Sequence, residues 1–302
     1  MTTNKNYVLQ KLSGNNFKIG RDLGKFWGDY FYKMKKKDPC KYGEYIEWLQ
    51  DNEIDKKKRW GLLINLSKSF PDLFEELVGM NIGINESKIG VKISLFGLFT
   101  CWLAETDLTF RQYNGCSSVL LQTKDGFSLA HSDENDQPYP LLIAEVSLRK
   151  EGKQSDFISI SHPFQLLGSA AGMNNHFAFQ GNSIGCRKSI FDHLQKTYHR
   201  RIPKTVFTRM MLELSSIEEI KKLYKEHAST LPNHHYVIFR NKAYSLEIKP
   251  TEPIQMTVRK LQHKITPHIH TNHFLNDNSS KWEFTKKEES IDRLDYLKEK
   301  MG

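Results

Sequence analysis

The sequence predicts an α+β fold, in which helices and sheets form packed layers. Two observations lead to this class: residues 1–110 have mostly helical hydrophobic spacing, and alternating strand patterns begin at Cys116. The first strands are followed by one helix and then by further strands, without regular βαβ alternation, and this order disfavours a doubly wound sheet. With 38% apolar residues, a chain of 302 residues can build a sizeable core.

The first predicted helix lies in "NNFKIGRDLGKFWGDYFYKMKK", whose apolar residues recur at three-to-four spacing. These residues are Phe17, Leu23, Phe26, Trp27, Tyr30 and Phe31. Gly20, Gly24 and Gly28 recur every four residues, which lets a neighbouring backbone approach closely. A second helix is predicted in "SFPDLFEELVGM", with its proline near the start, and a third within residues 88–106.

Strand patterns follow from Cys116 onwards. The runs "CSSVLLQT" and "FSLAHS" flank the turn sequence "KDG" and are therefore predicted to form a β-hairpin. Three further strands are predicted in "PLLIAEVSLRK", "FISISHP" and "HFAFQGNSI", with turn glycines between them.

The last third of the chain begins with a long predicted helix, "PKTVFTRMMLELSSIEEIKKLYKEHA", in which Pro203 suits the first turn. A second hairpin is predicted from "HHYVIFRN" and "KAYSLEIKP", turning around Asn241 and Lys242. The strand "PIQMTVRKL" and a short terminal helix in "SIDRLDYLKEKMG" complete the order.

The charge and the cysteines limit the classes of partner. The formal charge is +9, but the lysines lie in short runs separated by acids and no nucleic-acid motif accompanies them, so we expect no nucleic-acid partner. No apolar run reaches the roughly 20 residues of a membrane span, so we expect no membrane partner. Cys40, Cys101, Cys116 and Cys186 show no CxxC pairing and no zinc spacing. We therefore expect a cytoplasmic protein with free thiols, no cofactor and no metal.

The most informative residue pair is Gly115–Cys116. A buried cysteine can simply fill the core, and it can also act as a redox group or a nucleophile. A thiol directly after a glycine can attack the preceding carbonyl, cut its own chain and leave Cys116 with a free α-amine. That amine, with an ordinary pKa of about 7.7–8.0, can serve as general base for its own thiol. This chemistry needs no catalytic histidine, and the 12 histidines show no triad spacing to Cys116.

Several motifs of this chain resemble one family in the same order. "LSGNNFKIGRDLG" is similar to its opening motif, "FPDLFEELVGM" to the acid-rich helix before its cleavage site, and "NGCSS" to its Gly-Cys-Ser or Gly-Cys-Thr. "IPKTVFTRMMLELSSIEEI", "HTNHF" and "SIDR" resemble three later motifs. The family is that of the isopenicillin N (acyl-CoA:6-aminopenicillanic acid) acyltransferases and related amidohydrolases such as carcinine hydrolase. These are N-terminal-nucleophile enzymes, more distantly similar to the choloylglycine hydrolases.

The resemblance implies a fold, a processing step and a reaction. The fold would be a four-layer αββα sandwich, with residues 1–115 as a helical propeptide segment and residues 116–302 as the catalytic segment, both packing as one globular unit. Cleavage between Gly115 and Cys116 would activate the enzyme. It would hydrolyse or transfer an acyl group from an amide or an acyl thioester through an acyl-cysteine, so the expected partner is a small-molecule amide or an acyl-CoA-like substrate.

The resemblance also implies site residues. Cys116 would be the nucleophile, Asn272 an oxyanion donor and Asn182 a second polar group facing the nucleophile. Arg293 would support the active-site carboxylate. Each has a plainer interpretation: Asn272 as a turn residue, Asn182 as a strand-end cap and Arg293 as a solvated helix residue.

The carboxylate departs from the family pattern. Relatives carry His-Asn-Glu-Asp where this chain has "HSDEND", so Glu134 stands at the aspartate register. Asp133 or Asp136 could take that role if the register slips by a residue or two. The plainer interpretation of this segment is an acidic surface turn.

A second departure is that relatives continue for further strands past the position of Gly302. The sequence therefore predicts a C-terminally shortened sandwich whose open edge is covered by solvent or by another copy in a homo-oligomer. Together with the altered carboxylate segment, this leaves an alternative function: a catalytically impaired family member that acts as a binding or scaffolding protein.

Overall fold

The computed structural model describes residues 7–40, 42–43, 46, 56–102, 115–134, 140–185, 196–197, 200–251, 255–261, 267–275 and 287–301. The chain forms two compact units that interleave along the sequence. The first unit comprises Met1–Ala104, Tyr139–Ser169 and Tyr198–Arg200, and the second Glu105–Pro138, Ala170–Thr197 and Arg201–Gly302.

Helices and strands both contribute to the fold. The helices within the described residues are α1 (Asn16–Lys37), α2 (Lys56–Ser69), α3 (Pro71–Glu86), α4 (Leu95–Trp102), α5 (Lys204–Met211), α6 (Ile217–Glu226) and α7 (Lys287–Met301). The strands are β1 (Tyr7–Gly14), β2 (Gly115–Thr123), β3 (Gly126–Glu134), β4 (Leu141–Lys150), β5 (Lys153–Ser161), β6 (Ala171–Asn174), β7 (Phe177–Ser183), β8 (Arg201–Ile202), β9 (Ala228–Ser229), β10 (Asn233–Phe239), β11 (Lys242–Lys249), β12 (Gln255–Lys260) and β13 (His268–His270). The predicted α+β class is confirmed.

The first unit is built on the close packing of α1 against α3. A Cβ atom added to Gly24 would lie 2.1 Å from the Met80 carbonyl oxygen, and one added to Gly83 would lie 2.0 Å from the carbonyl oxygen of Arg21. Only glycine permits backbones to approach so closely, and this confirms the interpretation of the four-residue glycine spacing. Strand β1, which the sequence did not predict, pairs in parallel with β4, and β4 pairs antiparallel with β5.

The second unit contains two sheets. Strands β6, β7, β10, β11 and β12 lie side by side in that order, with antiparallel pairing throughout, and are called the main sheet here. Strands β13, β2 and β3 form the three-stranded sheet, also antiparallel. The predicted hairpin of β2 and β3 is confirmed, with a turn at Lys124 and Asp125.

The three-stranded sheet is covered on both faces. On one face Leu120 packs in a cluster with Tyr236 and Ala243 of the main sheet. On the other face Val119 packs in a cluster with Ile269 of β13 and Leu294 of α7. Neighbouring residues of a strand point to opposite faces, so β2 is buried on both sides over residues 117–120.

The long helix predicted from Pro203 is two helices. Helix α5 ends at Met211, and α6 begins after Ser216, whose side chain accepts a hydrogen bond from the Glu219 backbone while the Glu219 side chain accepts one from the Ser216 backbone. This capping box satisfies the free N–H groups of a new helix. The apolar spacing continues across both helices, so the sequence prediction overlooked the helix start signal in "SSIEE".

Among the described residues, no helix combines the length and the apolar character that crossing a membrane requires.

Candidate active site

The candidate site lies at the start of the hairpin in the second unit. Cys116 is the second residue of β2, and its partner directly across the ladder is Asp133 of β3. Directly opposed residues place their side chains on the same face of a sheet. The Cys116 Sγ accordingly lies 3.5 Å from Asp133 Oδ1 and donates its hydrogen to that oxygen. Cys116 is neither fully buried nor fully exposed.

The same carboxylate oxygen also contacts a histidine. His131 is two residues before Asp133 on the same strand, and its Nε2 lies 2.9 Å from Asp133 Oδ1. The two side chains are 12% and 17% exposed, so solvent reaches the pair. The carboxylate therefore links the thiol to the imidazole. This differs from a cysteine-protease triad, in which the imidazole contacts the thiol directly.

The hydrogen-bonded chain continues from His131 into the core. His131 Nδ1 lies 3.0 Å from Ser118 Oγ, and Ser118 donates its hydroxyl hydrogen to Asn182 Oδ1. Asn182 is fully buried and donates from Nδ2 to the carbonyl oxygens of His270 and Thr271 at 3.0 and 3.1 Å. Because Asn182 Nδ2 faces two acceptors, its amide can point in only one direction.

The backbone of Cys116 is held from its other side by Asn272. Asn272 Oδ1 accepts hydrogen bonds from the Cys116 backbone N–H at 2.7 Å and from Arg293 Nη2 at 2.8 Å. Asn272 Nδ2 donates to the Ser183 carbonyl oxygen at 2.7 Å. Two donors converge on Oδ1, which fixes the amide orientation.

Helix α7 contributes Arg293 to the same place. Its Nη1 donates to the Cys116 carbonyl oxygen and to Ser117 Oγ, each at 3.1 Å. Ser290 of the same helix accepts the Asn272 backbone N–H at 2.8 Å. The planar guanidinium has donors in a fixed fork, so one side chain holds Cys116 and Asn272 in a fixed relative position.

The residues that directly precede Asn272 belong to a buried polar cluster. His270 Nδ1 lies 2.7 Å from the Thr271 carbonyl oxygen, and His270 Nε2 lies 3.1 Å from Glu247 Oε1. His234 stacks on the His270 ring at 3.5 Å. Burial is the main cause that holds the pKa of His234 well below its usual range, so His234 stacks as a neutral ring.

The structure brings most of the predicted site residues together. Cys116, Asn272 and Arg293 are joined by direct hydrogen bonds, while Asn182 is connected to the site through Ser118.

Two of the predicted acids and one cysteine are described incompletely or not at all. The Glu134 backbone pairs with Gly115 in the ladder, but its side chain, like all of Asp136 and Cys186, lies outside the described residues. Among the described side chains, the acid that contacts the thiol is Asp133, the alternative that a register slip allowed.

Sequence reasoning missed His131 and Ser118. Both could have been found from the hairpin, since Ser118 and His131 are directly opposed across it and alternate residues of one strand share a face. Among the described residues, Cys116, His131 and Asp133 also form a group whose possible ligand atoms all lie within 4.8 Å of one another.

Fold and site together define a mixed α+β protein whose cysteine, at the start of a strand, is hydrogen-bonded through its thiol and its backbone nitrogen. The family model of the acyl-coenzyme A:6-aminopenicillanic acid acyl-transferases matches residues 113–301, well over half of the chain. The chain belongs to this family, which confirms the resemblance found in its motifs and indicates acyltransferase or hydrolase activity. No curated protein matches the chain at a significant level.

Proposed function

We propose that this chain is an N-terminal-nucleophile cysteine amidohydrolase or acyltransferase that activates itself by cleavage between Gly115 and Cys116. Its substrate would be a small-molecule amide or an acyl-CoA-like thioester, attacked by the Cys116 thiolate to give an acyl-cysteine. The observation that carries the proposal is the pair of contacts at Cys116. Its nitrogen is held by Asn272 Oδ1 at 2.7 Å, and its sulfur lies 3.5 Å from Asp133 Oδ1.

The layer order of such enzymes fits the contacts within the second unit. Tyr224 of α6 lies 2.7 Å from His235 Nε2, on one face of the main sheet. Tyr236, on the opposite face, packs with Leu120, and the reverse side of β2 packs on α7. This succession of contacts, from α6 through the two sheets to α7, supports the proposed αββα sandwich.

The α-amine is the best candidate for the base that activates the thiol. Thiols and carboxyls ordinarily differ in pKa by about 4 to 5 units, so moving the thiol proton to Asp133 would cost about 6 kcal/mol. An α-amine with a pKa of about 7.7–8.0 accepts that proton at little cost. Asp133 then serves to orient the thiol, and Asn272 Oδ1 serves to orient the amine.

Self-cleavage requires only atoms of the chain and water. The Cys116 thiol attacks the Gly115 carbonyl carbon, the peptide C–N bond breaks, and the Cys116 nitrogen takes up the proton to become an amine. Water then hydrolyses the resulting thioester, which leaves a carboxylate on Gly115 and restores the thiol. Arg293, which already donates to the Cys116 carbonyl oxygen at 3.1 Å, would hold the residue in place throughout.

Turnover repeats the same chemistry on a substrate. The thiolate attacks the substrate carbonyl, the protonated amine gives its proton to the leaving group, and an acyl-cysteine remains. Water or an acceptor amine then takes the acyl group. Asn272 Nδ2 donates to the Ser183 carbonyl oxygen, so a direct oxyanion contact from Asn272 would require it to release Ser183.

The two cleavage products, residues 1–115 and 116–302, would stay associated without a covalent bond. Within the first unit, β1 pairs with β4 from Tyr7 opposite Leu141 to Gly14 opposite Leu148. Phe31 of α1 also contacts Phe164, with a ring separation of 4.7 Å. Both contacts lie within the first unit and join one product to the other, which supports the proposed association of the two products.

Denaturing mass spectrometry of the purified protein tests the proposal. The wild-type chain of 35.3 kDa should separate into two pieces that begin at Met1 and Cys116. Cys116→Ala should stay intact, and the exposed Cys40→Ala should cleave as the wild type does. A folded wild-type chain that stays intact would contradict self-activation and favour the scaffolding alternative.

A further inference from the structure

We propose that Cys116, His131 and Asp133 bind a zinc ion, and that bound zinc reversibly blocks the Cys116 nucleophile. The inference goes beyond the proposed function. It needs a thiol, an imidazole and a carboxylate in one place and does not need the chain to be cleaved. It also revises the expectation of no metal, which rested on spacing along the sequence.

The three ligand atoms are spaced for one small ion. A tetrahedral zinc ion lies about 2.3 Å from sulfur and about 2.0–2.1 Å from nitrogen or oxygen, which separates sulfur from oxygen by about 3.5 Å. Cys116 Sγ and Asp133 Oδ1 are 3.5 Å apart. His131 Nε2 and Asp133 Oδ1 are 2.9 Å apart and need to open only by about 0.4 Å. Sulfur and nitrogen lie within 4.8 Å.

The hydrogen-bond chain behind His131 determines which ring nitrogen is turned toward the ion. Asn182 Nδ2 donates to two carbonyl oxygens, so Asn182 Oδ1 must accept the Ser118 hydroxyl hydrogen. Ser118 Oγ can then only accept from His131 Nδ1, 3.0 Å away. His131 therefore carries a proton on Nδ1 and presents Nε2 to Asp133. Metal-bound histidines in proteins are usually oriented by such a second hydrogen bond.

The charges of the ligands match the charge of zinc. Zn²⁺ binding forms bonds to sulfur, nitrogen and oxygen, and the Cys116 thiol gives up the hydrogen that it donates to Asp133 Oδ1. The thiolate and the carboxylate carry two negative charges, which balance the two positive charges of the ion, so no charge at the site is left uncompensated.

The donor set selects zinc over the common hard cations. Thiolate and imidazole suit zinc, whereas magnesium and calcium prefer oxygen ligands. Three protein ligands leave the fourth tetrahedral position for water. Since His131 and Asp133 are 12% and 17% exposed, the ion has a route to the site. Bound zinc holds the sulfur as a coordinated thiolate that cannot form an acyl-cysteine, and a chelator restores it.

Cobalt substitution on the full chain tests the coordination directly. Co²⁺ bound at this site should give a sulfur-to-metal charge-transfer band and the intense visible absorption of a tetrahedral site, at one ion per chain. Cys116→Ser should lose the charge-transfer band. His131→Gln should weaken zinc affinity by more than about 100-fold, because losing even a hydrogen-bond partner of a metal ligand costs about 10- to 100-fold; competition with a chromophoric chelator measures the affinity. The exposed His176→Gln serves as the matched control and should bind as the wild type does.

Alkylation gives a second readout that does not depend on a variant folding. Zinc should slow alkylation of Cys116 by at least about tenfold, while the exposed Cys40 on the same molecules reacts at an unchanged rate. A chelator should restore the Cys116 rate. The proposal is overturned if cobalt shows no thiolate band, or if zinc leaves Cys116 alkylation unchanged. An uncleaved chain that still binds cobalt through Cys116 would refute the proposed function and leave this inference standing.

Discussion

Asn272 Oδ1 accepts the backbone N–H of Cys116 at 2.7 Å, although 156 positions separate the two residues in the sequence. The same oxygen accepts from Arg293. One side-chain amide therefore joins strand β2, the segment after β13 and helix α7. In the proposed enzyme this amide holds the nitrogen that becomes the base, so its removal should affect both folding and processing.

Asn272→Ala should abolish cleavage after Gly115 and lower the free energy of unfolding by about 1–3 kcal/mol. This substitution removes three partly buried hydrogen bonds of the Asn272 side chain, those with the Cys116 N–H, with Arg293 and with the Ser183 carbonyl oxygen. Urea unfolding and denaturing mass spectrometry measure the two effects.

Asn85→Ala is the control for this substitution. Asn85 also bridges backbone groups, those of Asn81 and Ile93, but it lies in the first unit. This variant should lose stability and still cleave. Full cleavage of Asn272→Ala would contradict the assigned role.

Asp133→Asn should slow acylation of Cys116 by about 100-fold or more, because the amide no longer presents the charged acceptor that orients the thiol and contacts His131. The measurement is the rate of acyl-enzyme formation from an activated ester, followed by intact mass. Glu134→Gln is the matched variant one residue along and should have the smaller effect. If Glu134→Gln slows acylation more than Asp133→Asn does, Glu134 is the active-site acid, as its position in the family motif predicts.

Stability should fall as the pH falls from about 6.5 toward 3, because burial and then the charge of Lys204 lower the pKa of His235 to about 3. The unfolded histidine, with a pKa of about 6.5, binds a proton in this window and the folded one does not. Stability is therefore complete above the window and declines by up to about 1.4 kcal/mol per pH unit for this group.

His235→Gln should make that decline shallower, and the exposed His176→Gln should leave it as in the wild type. Urea unfolding at a series of pH values measures the slope. Equal slopes in the wild type and His235→Gln would show that His235 is not the responsible group.

Gly24→Ala should destabilise the protein by about 3 kcal/mol, since the new methyl group would lie 2.1 Å from the Met80 carbonyl oxygen and backbone cannot move aside cheaply. Thermal unfolding measures the loss. Gly43→Ala, where an added Cβ has no neighbour within 4 Å among the described residues, is the control and should unfold as the wild type does. Comparable stability of the two variants would contradict the close packing of α1 on α3.

The sequence by itself determined the α+β class, the β2–β3 hairpin and a helix whose glycines let a neighbouring backbone approach closely, and it made Cys116 the candidate nucleophile. These depend on local patterns: residue spacing, turn residues and a glycine next to a cysteine. Its motifs also placed the chain in its family, as the match to residues 113–301 confirms.

Only the tertiary structure decided which side chains surround the sulfur. A shift of one residue in a ladder exchanges the two faces of a strand, so the sequence alone could not show that Asp133 lies directly opposite Cys116. The partnership of Asn272 and Arg293 with Cys116 spans more than 150 positions and arises from the packing of α7 and β13 on β2. The direction of each amide and imidazole follows from counting donors and acceptors, which requires their positions in space.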